Sequence, residues 1–346
     1  MSLMKIPKNP FPNPYNHPVV WTPFGFFDLK IYGHIILSSD KKYFKIMLWK
    51  PLDTNVGFYR GQNKNYPAFM TSWQKLKSPL EQCLGWVQKE TFIDWFLNTP
   101  YFSHFAYNLE IAEAANVPEG NGAKFCFDFD AIAQHYEFPT NYLDISTRRD
   151  VAEFFAYTYQ DKQTGEYKPI ENFNEYQPHL YSSTASLVLN NPYNKDVKII
   201  GFQPLLRPIR QFAMAINFEN ITIDYNQEFH KYELPKDKQY AFKIFDKFEG
   251  GRELFPEDIA TKVANEIKHK AKYQKIIDKN IFNKYCNIFK EDASSIETQL
   301  INLGYTFSDN IINITSEQMQ LMKLDVKDNL EPWLREHVTY SPNIRN

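Results

Sequence analysis

The first apolar pattern in the chain predicts a β-hairpin. Apolar residues alternate or cluster over Lys30 to Leu37 and again over Tyr43 to Leu48, and the polar segment Ser38-Ser39-Asp40-Lys41 separates the two runs. Two such runs joined by a short polar turn are typical of paired strands. Upstream of them, the prolines between Pro7 and Pro18 predict an extended N-terminal arm, because each proline removes a backbone donor and fixes φ.

Helical spacing begins at Ser78-Pro79-Leu80-Glu81. Serine is a good N-cap, proline fits the first turn, and the glutamate three residues after the serine completes a capping box. The apolar residues that follow lie on roughly one side of a helix that ends before Pro100. These residues are Leu80, Leu84, Val87, Trp95 and Phe96.

Two further helices are predicted around a polar loop. One follows Asp128, contains Ile132, Ala133 and Tyr136, and is stopped by Pro139. The next starts at Thr147-Arg148-Arg149-Asp150, which resembles a capping box with aspartate in place of glutamate. Its apolar residues at helical spacing are Val151, Phe154, Phe155 and Tyr159.

The second half of the chain changes from strand patterns to helix patterns. Runs at Ala185 to Leu189, Val197 to Phe202 and Ala215 to Phe218 predict strands. From about Pro256, Ile259, Val263, Ile267 and Ile277 outline an amphipathic helical face. The patterns predict an α+β fold, with a mixed strand and helix body around a central cleft and a mainly helical C-terminal region, and Gly250-Gly251 is the expected boundary.

The charge balance, the cysteine count and the lack of long apolar stretches indicate the class of protein. The 39 Lys and Arg residues nearly balance 41 Asp and Glu residues, so no overall charge attracts nucleic acid or anionic membrane. Cys83, Cys126 and Cys286 are odd in number and far apart, which favours reduced thiols over disulfides or a metal site. No apolar stretch approaches the length of a membrane span, and no signal peptide is recognisable. We therefore expect a cytoplasmic protein with no membrane partner and no bound metal.

Candidate chemistry first occurs at Tyr59-Arg60-Gly61-Gln62, after a predicted strand. An arginine there can fork its guanidinium onto a phosphate or carboxylate, and Gly61 can let a ligand approach the backbone. An arginine at the end of a strand can equally form a structural ion pair. The four residues alone leave both interpretations open.

A denser polar run extends from Gln134 to Thr147, between two predicted helices. It contains His135, Thr140, Asp144, Ser146 and Thr147, and its position would place side chains and free helix amides around one concavity. Each residue also has a structural explanation, as a core histidine, a loop-bonding aspartate or a helix cap. Taken singly, those explanations are the more common outcome.

Together these motifs resemble the FRG domain. The resemblance rests on Tyr59-Arg60-Gly61-Gln62, on the run from Gln134 to Asp144 and on the helix from Val151 to Ala156, with a weaker later segment of Arg207, Gln211 and Ala213. The chain departs from the family pattern, which has Arg where Asn141 stands, Trp at Ile145 and Gly at Ala213. The resemblance covers roughly residues 56–218. With the boundary that the pattern predicts at Gly250-Gly251, we expect an N-terminal arm with strands at 1–55, an FRG-like domain at 56–250 and a helical region at 251–346.

The FRG resemblance extends distantly to the ADP-ribosyltransferase group and implies a nucleotide-processing enzyme that uses NAD, such as a toxin or defence effector. It implies that Arg60, Gly61, Gln62, Thr140, Ser146, Thr147 and Arg207 contact the nucleotide, and that His135, Asp144, Gln211 and Glu219 are the catalytic candidates. In this chemistry a carboxylate stabilises the positive charge that develops as nicotinamide departs. Gln211 occupies the late polar position and cannot supply that charge, which leaves Asp144 or Glu219.

The alternative is a non-catalytic module that binds nucleic acid or a protein through the C-terminal helices. The lysines at 268, 270, 272, 275, 279 and 284 are interleaved with Tyr273 and Phe282 and could form a basic surface. Neighbouring acidic residues such as Glu266 and Asp278 dilute it, so a solvated helical face is the commoner outcome of such a pattern.

Overall fold

The computed structural model describes most of the chain from Val19 onward. The described residues are 19–22, 25–28, 33–37, 43–48, 57–66, 69–106, 124–125, 127–161, 164–184, 202–217 and 229–340. The predicted N-terminal arm, the turn at 38–41, Cys126, the strand at 185–189 and all but Phe202 of the strand at 197–202 lie outside them.

Strands and helices alternate irregularly along the chain. The strands are β1 Val19–Thr22, β2 Gly25–Asp28, β3 Gly33–Leu37, β4 Tyr43–Leu48, β5 Gly57–Gln62, β6 Lys124–Phe125, β7 Tyr142–Ser146, β8 Thr158–Gln160, β9 Tyr167–Pro169, β10 His179–Thr184, β11 Ala213–Asn217, β12 His230–Glu233, β13 Ile276–Asp278, β14 Thr306–Ser308 and β15 Val338–Tyr340. The α-helices are α1 Pro79–Leu97, α2 Pro100–Ala106, α3 Phe129–His135, α4 Arg149–Tyr157, α5 Leu206–Arg210, α6 Lys238–Lys247, α7 Ile259–His269, α8 Lys279–Phe289, α9 Ala293–Asn302, α10 Ser316–Asp325 and α11 Glu331–His337.

The central sheet has five strands in the order β11-β7-β5-β10-β12, and each neighbouring pair is antiparallel. Strands β5 and β10 pair along their whole length, from Gly57↔Thr184 to Gln62↔His179. Strands β5 and β7 pair only at Tyr59↔Ser146. The sheet therefore opens beyond that pair, between the C-terminal half of β5 and the N-terminal half of β7.

The predicted hairpin is confirmed. Strands β3 and β4 pair antiparallel from Gly33↔Leu48 to Leu37↔Phe44. The C-terminal strand β15 adds to the same sheet, parallel to β3. The last described strand is thus hydrogen-bonded to one of the first.

The first two predicted helices are confirmed with their caps. Helix α1 has the capping box of Ser78 and Glu81 and ends at Leu97. Helix α3 is capped by the Asp128 side chain, which accepts from the Ala131 amide. In both cases the local sequence satisfies the free amides of the first turn, so the start of the helix needs no distant contact.

The third predicted helix exists, but its predicted cap is wrong. Residue Arg148, not Thr147, is the N-cap of α4, and its side chain makes no capping bond. Asp150 instead accepts from the Val151 amide. The helix ends at Tyr157, and Tyr159 lies in strand β8. Thr147 is drawn inward because its amide donates to the carbonyl of Phe212, next to β11.

The C-terminal helices share a hydrophobic core with the sheet-containing body. One cluster of buried residues joins Phe92 and Phe96 of α1 to Val263 and Ile267 of α7 and to Leu330 near the C-terminus. The predicted apolar face of α7 is confirmed, whereas Ile277 lies in β13 because a left-handed residue, Lys275, ends the helical run. The division at Gly250-Gly251 stays a prediction.

The α+β class with a helical C-terminal region is confirmed. Cys83 and Cys286 are unpaired and buried in a second cluster between α1, α8 and α9. Among the described residues, no helix combines the length and the apolar character that crossing a bilayer requires.

Candidate functional site

A cleft of about 450 Å³ opens where β5 and β7 separate. Its walls come from the C-terminal half of β5, the segment that follows it, strand β7, helix α4 and the turn between α5 and β11. Seven of the predicted site residues line it: Arg60, Gly61, Gln62, His135, Asp144, Ser146 and Gln211. The opening in the sheet therefore brings together residues that are up to 151 positions apart in the sequence, from Arg60 to Gln211.

Arg60 spans the gap between the two strands. Its Nη1 donates to the backbone carbonyl of Asp144 at 2.6 Å, and its guanidinium lies 5.9 Å from the centre of the Phe69 ring. Burial lowers the pKa of Arg60, and the nearby Asp144 charge opposes that shift. Its Nε is buried and has no hydrogen-bond partner among the described residues. The guanidinium is thus held in place while part of its hydrogen-bonding capacity is unused.

The Asp144 carboxylate is oriented by a chain of polar contacts. Its Oδ2 accepts from Gln134 Nε2 at 3.1 Å. The amide oxygen of Gln134 in turn accepts from the hydroxyls of Thr140 and Ser72. The other carboxylate oxygen, Oδ1, is buried without a partner among the residues that the structure describes. Buried polar atoms usually have a hydrogen-bond partner, so this oxygen is an exception within the site.

The sequence suggests that Gly61 lets a ligand approach the backbone. In the structure, Gly61 lets helix α4 approach strand β5. A Cβ at this position would lie 1.7 Å from the carbonyl oxygen of Ala152 and 2.8 Å from the amide nitrogen of Ala156. Only glycine leaves room for α4 to pack directly on β5. Gly61 still borders the cleft, and its absent side chain sets the distance between the two walls.

His135 and Gln211 are two buried polar residues that line the cleft. His135 is only 4% exposed, and burial lowers its pKa, while the Asp144 charge and a hydrogen bond with the Gln211 side chain act in the opposite direction. Arg207 adds to the lowering. His135 is therefore neutral near pH 7, the form in which one ring nitrogen can accept a proton.

Three predicted ligand contacts do not line the cleft. Thr140 is occupied within the chain, since its hydroxyl donates to Gln134 and accepts from the Tyr142 amide. Thr147 is fully buried behind β7. Arg207 forms an ion pair with Glu137 at 2.9 Å and lies 4.6 Å over the Phe255 ring. The hydroxyl of Ser146 does border the cleft, and it donates to the carbonyl of Gln211 at 2.8 Å. The fourth catalytic candidate, Glu219, lies outside the described residues.

Aromatic residues that were not among the predicted site residues form much of the wall. Tyr59, Tyr66, Phe155, Tyr159 and Tyr167 border the cleft. Tyr66 is 48% exposed and borders the cleft together with Arg60. The cation Lys75 also borders the cleft. The sequence signal that could have found these residues is the high aromatic content around the Arg60 motif, which core packing explains equally well.

The predicted basic surface is largely neutralised by ion pairs. Lys268 pairs with Glu137, and the lysines at 270, 279 and 284 pair with Glu266, Glu297 and Glu90. Lys272 and Lys275 lie over tyrosine rings. Over the described ranges, no group of three or more His, Cys, Asp or Glu side chains is arranged to hold a metal ion.

One segment of the chain matches a known protein family. Residues 55–165 match the family model described as the FRG domain. The chain carries an FRG domain. The matched segment of the FRG domain includes Arg60, His135, Asp144 and helix α4, whereas Gln211 lies beyond it. No curated protein and no solved structure matches the chain.

Proposed function

We propose that the cleft of the FRG domain binds a nucleotide, with NAD as the first candidate, and that the protein is an ADP-ribosyltransferase-like enzyme. One observation carries the proposal. A buried arginine and a carboxylate oxygen without a partner lie at the same opening in the central sheet, inside a cleft with aromatic walls. Such a combination of a few polar groups with apolar walls is typical of small-molecule sites, and the volume falls within their usual range.

The donors and acceptors of the cleft match the parts of a dinucleotide. Arg60 and Lys75 are cations that can bind phosphate. The buried oxygens Asp144 Oδ1 and Gln62 Oε1 have no partner among the described residues and can accept from ribose hydroxyls. Aromatic side chains such as Tyr66 and Tyr159 offer faces on which a base can stack.

The charges of the cleft residues suit the cleavage of NAD. Bound NAD supplies a glycosidic bond whose cleavage leaves its electron pair on nicotinamide and positive charge on the ribose. The Asp144 carboxylate is the anion in the cleft that can offset this charge. Neutral His135 can take the proton that an acceptor hydroxyl or amine loses when it bonds to the ribose carbon. An enzyme of this kind would act as a toxin or a defence effector.

The test is thermal unfolding with NAD, ATP or short nucleic acids, followed by an assay for released nicotinamide. At a ligand concentration 100 times Kd we expect stabilisation by about 2.7 kcal/mol. Arg60→Gln should abolish the NAD-dependent shift. Asp144→Asn keeps the shape and the contact to Gln134, so it should weaken NAD binding by less than about 10-fold, through the lost ribose contact, and lower nicotinamide release by about 100-fold or more.

Asp246→Asn is the matched control, because Asp246 is exposed on α6 and does not line the cleft. It should leave both measurements unchanged. If Arg60→Gln fails to fold, nicotinamide release by Asp144→Asn still tests the proposal. No shift with any nucleotide, or nicotinamide release that is unaffected by Asp144→Asn, would contradict the proposal. A shift with nucleic acid alone that survives Arg60→Gln would favour the interaction module instead.

A further inference from the structure

A second cavity, of about 350 Å³, lies between α1 and the C-terminal helices. Its walls come from α1, from the junction of β13 and α8, from the segment 310–314 and from α10. None of the residues that line it also lines the cleft of the FRG domain. The two cavities are therefore separate sites.

The indole of Trp95 lacks an acceptor. Trp95 lines the second cavity, is 4% exposed and stacks on Phe92, with 5.4 Å between the ring centroids. Its Nε1 is buried and has no hydrogen-bond partner among the described residues. An indole N–H only donates, and a buried tryptophan usually places it on a partner. The cavity therefore has a hydrogen-bond donor to offer a ligand.

Two carboxylates line the same cavity. Asp278 is 6% exposed, and its oxygens accept from the amides of Ile281 at 3.0 Å and Ile311 at 3.5 Å. The first of these amides belongs to the N-terminus of α8, whose dipole offsets part of the negative charge. Asp94 is exposed on α1 and adds a second negative charge.

These carboxylates have no cation beside them in the part of the chain that the structure describes. None of the residues that line the cavity is basic. Lys270, whose Nζ donates to the carbonyl of Ile311, pairs with Glu266, and Lys279 pairs with Glu297. Burying a carboxylate is costly unless a positive charge lies near it. The cavity thus combines two negative charges with one unused donor.

We propose that this cavity binds a small organic cation, namely an amine that also carries a hydroxyl or carbonyl oxygen. The ammonium group offsets the charges of Asp94 and Asp278, and the oxygen accepts from Trp95 Nε1. A short hydrocarbon linker between the two groups suits the apolar side chains that line the rest of the cavity, such as Ile281 and Ile314. A metal ion could offset the carboxylates but cannot accept from an N–H, and a water molecule could accept but carries no charge.

Three probes of similar length test the amine and the oxygen separately. Aminopentanol has an amine and a hydroxyl at opposite ends of a five-carbon chain, pentanediol lacks the charge, and pentylamine lacks the oxygen. Calorimetry of the full chain measures the affinities, and ¹H–¹⁵N NMR of the protein labelled at tryptophan follows the indole N–H signals. The Trp95 signal is assigned by its loss in Trp95→Phe.

Aminopentanol should bind at least about 10-fold more tightly than pentanediol, because hydrogen bonds to a charged group are about twice as strong as neutral ones. It should also move the Trp95 indole proton downfield, since that N–H gains an acceptor. Pentylamine should bind without moving that proton downfield.

Asp278→Asn removes the buried charge and keeps the helix cap, because asparagine caps a helix about as well as aspartate. It should weaken the binding of aminopentanol about 10-fold, and Asp94→Asn about 3-fold, since the exposed charge of Asp94 is screened by solvent. Asp292→Asn is the matched control. Asp292 caps α9 through the amides of Ser294 and Ser295 and does not line the cavity, so its substitution should leave the affinity unchanged.

The inference is overturned if aminopentanol binds no more tightly than pentanediol, or if Asp278→Asn and Asp292→Asn weaken its binding equally. A response of other tryptophan signals with Trp95 unmoved would also overturn it. If Trp95→Phe does not fold, the affinities of the aspartate variants still test the site. Arg60→Gln should leave amine binding unchanged, because Arg60 lines only the cleft of the FRG domain, so this proposal and the nucleotide proposal can fail independently.

Discussion

Thr147 and Thr158 are both buried threonines at the two ends of α4, and they differ in one contact. The hydroxyl of Thr158 donates to the carbonyl of Phe154 at 2.7 Å. The hydroxyl of Thr147 has no hydrogen-bond partner among the described residues. A buried polar group without a partner costs roughly 1–3 kcal/mol, whereas one that is satisfied contributes a modest net stabilisation.

Thr147→Val should therefore leave stability unchanged or raise it by up to about 2 kcal/mol, because valine has the same shape and no polar group to satisfy. Thr158→Val, the matched control, should lower the free energy of unfolding by about 1 kcal/mol. Urea unfolding of both variants checks this. A loss of stability in Thr147→Val as large as that in Thr158→Val would show that the Thr147 hydroxyl has a partner after all.

The chemistry of single residues predicted much of the cleft lining. It also predicted ligand contacts at Thr140 and Arg207, and neither residue lines the cleft. Arg60, Asp144 and His135 carry their chemistry in any environment, so the motif in which they occur predicts them. The roles of Thr140 and Arg207 depend on what lies opposite, namely Gln134 and Glu137. Gln134 is only six residues from Thr140, whereas Glu137 is 70 residues from Arg207, and local patterns do not encode that second contact.

At the scale of elements, the site depends on how closely α4 packs on β5. The helix residues Ala152 and Ala156 contact the strand at Gly61, and no side chain separates them. This close packing forms one wall of the cleft, while the separation of β5 from β7 forms its opening. The small residues of α4 and Gly61 are thus a single packing feature divided between two distant segments.

Gly61→Ala should destabilise the protein by about 3 kcal/mol or more, because the new methyl group would meet backbone atoms that cannot move without shifting α4. The measurement is the free energy of unfolding in urea. Gly85→Ala is the control within α1. Its Cβ would meet only side-chain atoms, of Pro139 and Leu76, at 3.0 Å or more, and the gain in helix propensity offsets part of that contact.

We expect Gly85→Ala to change stability by less than about 1 kcal/mol. Equal effects of the two substitutions would contradict the backbone contact at Gly61. A stable Gly61→Ala protein with a widened cleft and weaker ligand binding would instead mean that α4 can move away from β5.

At the scale of the whole molecule, the C-terminal helices and the FRG domain share one core. Leu330 is fully buried in the same cluster as Phe92 of α1 and Ile267 of α7. Strand β15 also pairs with β3, so the last described segment is hydrogen-bonded to one of the first. Elements that share a core usually unfold together in a single transition.

Leu330→Ala should cost about 2–5 kcal/mol through the cavity it creates. Hydrogen exchange is the measurement, and the protection of slow amides in β5 and β10 should fall by the same free energy as that in α7. The control Leu303→Ala, at a position that is 54% exposed, should change little. Loss of protection confined to the C-terminal helices would show that residues 251–340 unfold as a separate unit.

The sequence by itself determined the α+β class, the starts of α1 and α3, the β3–β4 hairpin and most of the charged and polar residues of the cleft. These features depend on residues close together in the chain, such as Ser78 with Glu81, or on the fixed chemistry of one side chain, such as the Arg60 guanidinium. The cap of α4 was missed, although it too is local, because the contact of Thr147 with Phe212 outweighs it.

Only the tertiary structure decided which polar residues meet. The split between β5 and β7 places Asp144 beside Arg60, α4 occupies the space at Gly61, and the Gln211 side chain donates to the carbonyl of Leu254. Each of these contacts joins segments more than 40 residues apart. Their geometry follows from strand register and helix packing, which depend on the whole core at once and leave no local pattern in the sequence.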